Sequence, residues 1–199
     1  MKVEATTPKD DQRENIIAAA RQVFGQYGYK KATLDIIGQS MGKVKSFVYY
    51  YFKGKEQLFE AVIDSEVQHL KSEFDQILTS DMPATEKLKV YTKKRMALIF
   101  QLANYYELVS NGMLTNPAFT EKLRRKYDDK EVEHILLILE QGIRSGEFCL
   151  KDVQLAAIAY FTVLKGLEIP LFTAQDHSSN VDQRIDNLLT IIFNGILSK

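Results

Sequence analysis

Cysteine occurs once in this 199-residue chain, at Cys149, and tryptophan does not occur. A lone cysteine closes no intrachain disulfide, so buried apolar surface must hold the fold, as in a reducing compartment. Three histidines, His69, His134 and His177, are scattered without metal-ligand spacing, and none forms a recognisable partner motif with Cys149. No Gly-rich phosphate loop is present. The sequence therefore supplies no metal, thiol or nucleotide chemistry. It is expected to be neither an enzyme nor a holder of a metal or cofactor. Long hydrophobic runs are missing too. Segments such as "HILLIL" and "LAAIAYFTVL" fall well short of the roughly 20 apolar residues that span a bilayer. The start, "MKVEATTPKDDQREN", has no apolar core of a signal peptide. A cytoplasmic protein without a membrane segment is expected.

Net charge is absent as well: 26 Lys and Arg balance 26 Asp and Glu. The balance hides an asymmetry. Residues 1–55 hold ten basic and five acidic side chains, and the remainder holds sixteen and twenty-one. A basic end on an otherwise acidic chain points towards nucleic acid or an anionic surface.

Only four prolines occur, at positions 8, 83, 117 and 170, which leaves long windows open to helix. No segment alternates apolar and polar residues as a half-buried strand would, and helical spacing dominates. Ile16, Ile17, Ala20, Val23, Phe24 and Tyr27 fall on one face of a helix over about 10–27, and Gly28 follows where a helix ends. Thr33 is placed to cap a short second helix containing Ile36, Ile37 and Met41. Gly42 breaks that helix, and a third runs from about Val44 to Phe52. Gly54 then precedes a long fourth helix from Lys55 to about residue 78. Further helices are expected over about 85–110, from about 116 towards Gly146, and in "DVQLAAIAYFTVLKGL" and "VDQRIDNLLTIIFNGIL". The fold class is all-α, with about nine helices.

Two short helices joined by a glycine turn form a helix-turn-helix, whose second helix enters the DNA major groove. In that second helix, "VYYYF" places three tyrosines between Val48 and Phe52. Helix geometry cannot bury all of them on one face. Val48 and Phe52 are assigned to the core, so tyrosines must face outward. The outward tyrosines could still be partly buried with wet hydroxyls.

The stretch from about residue 14 to 64 strongly resembles the DNA-binding domain of the TetR/AcrR family of bacterial transcription regulators. The likeness rests on "AAARQVFGQYGY", Thr33, Gly42, the "VYYYF" block and "KGKEQLF". It implies that Thr33 caps the second helix and binds a phosphate. It places Lys45, Ser46 and Phe47 at base edges, and Tyr49 and Tyr50 at the backbone or a base methyl. Tyr51 stands where many members have a phosphate-binding histidine, and Lys55 where a lysine pairs with phosphate. The chain departs from the pattern at Lys43, usually apolar, and at Val44, usually a Ser or Thr cap. A missing cap costs the helix about 1 kcal/mol. Phe47 replaces a smaller residue.

The resemblance also implies two domains: 1–54 for DNA binding and 55–199 for effector binding and dimerisation. Tyr91, Met96, Phe100, Tyr105, Tyr106, Met113, Phe119, Tyr127 and His134 lie on segments that surround the ligand cavity in similar regulators. Each of these residues could equally be plain core, and His134 could be a satisfied, partly buried histidine. The last two helices carry apolar stripes that include Phe161, Leu164, Ile185, Leu189, Ile192, Phe193 and Ile196. Similar proteins pair these helices across a two-fold axis; the stripes could instead seal the core of one chain. The expected function is a ligand-responsive dimeric regulator, a repressor in most of the family, with a palindromic operator, a small-molecule effector and a second copy as partners. A helical protein-interaction module, or an activator without a ligand, is the alternative.

Overall fold

The computed structural model describes residues 8–99, 116–173 and 181–194. The described residues form eight helices and no strand. They are α1 (Pro8–Lys31), α2 (Leu34–Ser40), α3 (Lys45–Tyr51), α4 (Lys55–Thr79), α5 (Ala84–Ile99), α6 (Pro117–Ser145), α7 (Val153–Thr173) and α8 (Val181–Asn194). Two compact units are present. One is Met1–Lys71 with Leu102–Arg125, and the other is Ser72–Gln101 with Lys126–Lys199.

The first unit is built around α1. Asp10 and Asp11 in its first turn and Lys30 and Lys31 in its last suit the helix dipole. Ile16, Ile17, Ala20, Val23 and Phe24 are buried, as their spacing requires. Tyr27 is not, and here the structure corrects the sequence reading. Gly28 adopts φ 71° and ψ 160°, outside helical values, and this kink redirects the chain. Tyr27 is left exposed and Tyr29 enters the core in its place. There Tyr29 meets Phe59 edge-on at 4.7 Å, and Phe24 meets Phe59 in the same way at 5.0 Å. Such pairs add a directional term to the apolar burial.

In the second unit, α5, α6, α7 and α8 pack around Leu88, Tyr91, Ile135, Ile138, Ala157, Leu164 and Ile185. Lys87 is buried in this unit, and its ammonium donates to the carbonyls of Leu78 and Ser80 and to Gln141 Oε1, at 2.7–2.9 Å. A buried charge is tolerable only when its donors are satisfied in this way. The ammonium also supplies a partner for a carbonyl in the last turn of α4. Helix α6 is continuous, and Gly146 at φ 79° ends it where the sequence reading placed its stop. Phe148 N–H then returns to the Gly142 carbonyl at 3.0 Å. The helix expected over about 85–110 is described as far as Ile99.

Candidate nucleic-acid interface

Helix α2 packs against α1 and α3. Its start is fixed by Thr33, whose Oγ1 accepts from the Ile36 N–H at 3.2 Å. Its end is fixed by a tight turn. Gly42 has φ 65°, and the N–H groups of Met41 and Lys43 both donate to the Gly38 carbonyl. A Cβ at position 38 would lie 2.9 Å from the Lys43 carbonyl oxygen. Gly38 therefore allows the two helices a closer approach than a side chain would.

Helix α3 starts at Lys45, with Val44 as its N-cap residue. Val44 makes no capping bond, and at 71% exposure it does not pack inward either. Val48 and Phe52 are buried, as assigned from the sequence. The Arg13 guanidinium lies 5.0 Å from the centre of the Phe52 ring.

The other face of α3 is open. Tyr50 is 71% exposed and Tyr49 47%. Lys45 and Ser46 are exposed, while Phe47 and Tyr51 are half-buried. The aromatics are ordered against one another: Phe47 and Tyr51 rings lie 5.3 Å apart, and Tyr50 meets Tyr51 edge-on at 5.0 Å. Lysines cover several of them. Lys43 lies over Phe47, Lys45 over Tyr49 and Lys9 over Tyr50, at 5.5–5.7 Å from the ring centres. Lys45 also pairs with Asp35 of α2 at 3.2 Å, a contact that spacing along either helix could not reveal. The result is a group of cations and aromatic rings gathered on and beside a short helix. Cations suit phosphates, and ring faces and edges suit thymine methyls.

Lys55 is placed differently. Its ammonium donates to the carbonyls of Tyr29 at 2.8 Å, Ala32 at 3.1 Å and Lys30 at 3.5 Å. It thus satisfies acceptors at the end of α1.

Residues 16–62 match the family model of bacterial regulatory proteins of the tetR family. The regulator QacR of Staphylococcus aureus is 25% identical over 197 residues, covering 94% of this chain and 98% of that protein. The fatty acid metabolism regulator protein of Bacillus subtilis is 26% identical over 188 residues, covering 92% and 95%. Among solved structures, a transcriptional regulator from Cytophaga hutchinsonii superposes with a TM-score of 0.73 at 29% identity, covering 95% of this chain and all of the other. The chain carries a DNA-binding domain of the tetR family of bacterial regulatory proteins. It is a DNA-binding transcription regulator.

The expected effector residues fall into two groups. Phe100, Tyr105, Tyr106 and Met113 lie outside the described residues. Tyr91, Met96, Phe119 and Tyr127 are buried, and His134 is half-buried. Tyr91 Oη lies 3.4 Å from His134 Nδ1, and Phe74 packs on the Tyr91 ring. Burial lowers the His134 pKa from its ordinary value, against the pull of Glu131. Nearby, Arg95 is buried and donates to Glu131 at 2.6 Å. Thr92 and Tyr160 share a hydroxyl hydrogen bond of 2.6 Å. Burial pushes the Tyr160 phenol up to about 12, the Thr92 bond opposing it. The second unit thus has a polar cluster in its interior. Arg95, Glu131 and Thr92 were not singled out in the sequence, because only the fold brings them together with Tyr160.

An open cleft of about 450 Å³ lies in the same unit, lined by Leu88, Leu139, Phe148, Tyr160, Val163 and Phe193 among others. None of Tyr91, Met96, Phe119, Tyr127 and His134 lines it.

The terminal stripes divide between inside and outside. Leu164, Ile185 and Leu189 are buried within the chain itself, so they cannot form an outer surface as expected. Phe161 and Phe193 are partly buried against the same core, and Ile196 lies outside the described residues. Ile192 is exposed, together with Leu155, Ile158 and Val163 of α7 and Ile191 of α8. Leu155, Ile158 and Val163 recur at helical spacing, an apolar face that the sequence reading did not separate from the core stripe. No helix among the described residues is long and apolar enough to cross a membrane.

Proposed function

We propose that this chain is a ligand-responsive repressor that acts as a homodimer on a palindromic operator in the cytoplasm, with no catalytic activity. The observation that carries this is α3. It is anchored by Val48 and Phe52 and presents Lys45, Ser46, Tyr49 and Tyr50 outward. Lys45, Ser46 and Phe47 meet base edges, while Tyr49, Tyr50 and Tyr51 meet the sugar–phosphate backbone or a thymine methyl. Thr33 can donate its hydroxyl proton to a phosphate while its oxygen keeps the Ile36 cap. Lys55 contributes positive charge to the same end of the molecule, but its nearest role is to hold the end of α1. Residues 1–54 form the DNA-reading part and residues 55–199 the part that senses and dimerises.

Dimerisation uses the outer face of α7 and α8, centred on Ile158 and Ile191. Two recognition helices must stand about one turn of DNA apart to read a palindrome, which a two-fold dimer supplies. The effector is a small, largely apolar molecule held near Tyr91, Met96, Tyr127 and His134. The name of the Bacillus subtilis relative makes acyl-chain compounds the first class to test. An effector that binds one conformation of the dimer better than the other shifts it away from the operator.

The test is selection of bound fragments from the source genome by the full-length dimer, followed by titration of the selected fragment with an acyl-compound panel. Enrichment of one palindrome and its release by one class of compound is expected. Binding of random and genomic DNA that is equal, weak and insensitive to salt would leave a helical interaction module as the better reading.

A further inference from the structure

Between residues 15 and 55 the chain has seven basic side chains and a single acidic one, Asp35. That acid is not tucked away. Its side chain is about half exposed, in the first turn of α2, and it pairs with Lys45 at 3.2 Å. A carboxylate on a DNA-facing surface repels phosphate and lowers affinity for every sequence alike. Its presence on such a basic stretch asks for a compensating role, and its contact supplies one.

Lysine is ordinarily a mobile point charge on a long stem, suited to phosphate from many angles. Lys45 is not placed that way. Its ammonium is held by Asp35 on one side and lies 5.7 Å from the centre of the Tyr49 ring on another. The ammonium has three N–H donors, and the ion pair with Asp35 draws it to one side of α3. A cation biased in direction in this way, with donors to offer, matches the paired O6 and N7 acceptors of guanine in the major groove. Because Val44 gives the first turn of α3 no side-chain cap, the link from Lys45 back to α2 also ties down that turn.

We propose that Asp35 is a positioning residue for base readout: it orients Lys45 towards guanine and, by its charge, weakens binding to sequences that lack guanine there. This rests on the reading of α3 as the recognition helix.

The experiment uses the full-length protein with a pool of randomised duplexes and, separately, one duplex of arbitrary fixed sequence. The variants are Asp35→Asn, Asp35→Glu and Lys45→Gln. Wild type should enrich guanine at one position in each half-site. Asp35→Asn should reduce that enrichment about tenfold, the size of one lost base contact. It should also raise affinity for the fixed duplex roughly two- to fivefold, as one exposed charge allows. Asp35→Glu should restore part of the enrichment. Lys45→Gln should lose the same enrichment but bind the fixed duplex more weakly.

Asp35→Asn retaining its guanine preference would overturn the inference. So would Asp35→Asn weakening binding to both DNAs equally, which is what a merely structural acid would do. Should Asp35→Asn fail to fold by circular dichroism, Lys45→Gln decides, and full guanine enrichment by that variant sinks the proposal. A wild type that enriches no sequence at all would instead overturn the DNA-binding reading, and the clamp with it.

Discussion

The Lys55 ammonium bonds the carbonyl oxygen of Tyr29 at 2.8 Å while lying 4.4 Å from the centre of the same residue's ring. One cation therefore holds both the backbone and the side chain of the residue that follows the Gly28 kink. Lys55→Met should lower unfolding free energy by about 1–2 kcal/mol, since it leaves the α1 carbonyls without their charged donor. Urea unfolding followed by circular dichroism measures this. Unchanged stability with a flatter salt dependence of DNA binding would show instead that Lys55 leaves α1 to bind phosphate.

Phe47 divides its surface between Tyr51 and the open face of α3. Phe47→Ala should cost about 1 kcal/mol of ring packing and relax base preference at one operator position. The domain should stay folded, because Val48 and Phe52 are the buried anchors. Loss of folded structure in that variant would make Phe47 a core residue.

Gly142 lies against the Phe148 ring, and a Cβ there would meet a ring carbon at 2.0 Å. Gly142→Ala should drive Phe148 outward and destabilise the protein by about 1–3 kcal/mol, despite the better helix propensity of alanine. Thermal unfolding tests the sign, and a rise in melting temperature would show that the ring moves aside without loss.

Glu147 accepts from the N–H groups of Ala84 and Thr85, both at 2.9 Å, and from Ser145 Oγ at 2.8 Å. The backbone bonds from Thr85 and Ala84, then the Ser145 bond, hold its pKa down to about 2 from an ordinary 4.5. The folded value lies below the unfolded one, so the stabilisation is complete above about pH 4.5 and is lost as pH falls towards 2. Wild type should therefore melt higher than Glu147→Gln at neutral pH, with the gap closing below about pH 4.5. A gap independent of pH would mean that the carboxylate charge contributes nothing.

On the outer face of α7, Ile158→Glu should convert the dimer to monomer in sedimentation velocity without a loss of helicity. Ile185→Ala should do the reverse. It should destabilise the fold by about 2–5 kcal/mol, and the surviving folded protein should still associate. A dimeric Ile158→Glu would place the interface elsewhere.

Local chemistry was the legible part of this sequence. Thr33, Gly42, Val48 and Phe52 could be placed because caps, left-handed turns and helical faces act over a few residues. Tyr27 was misplaced because a period carried past Gly28 takes no account of the kink there. Leu164, Ile185 and Leu189 were misplaced for another reason. A period shows that a side chain is buried and does not say whether its own chain or a second copy buries it. The partners of Lys55 lie 23–26 residues away and that of Asp35 ten, so no local pattern could announce either contact.

The uncapped start of α3 has an evolutionary consequence. A recognition helix with its own serine or threonine cap carries its orientation within its own sequence. Here the first turn borrows its support from α2, so a change at position 35 alters base readout from outside the reading helix. The regulator can in this way acquire a new operator by mutating a residue outside its reading helix, leaving the tyrosine face intact.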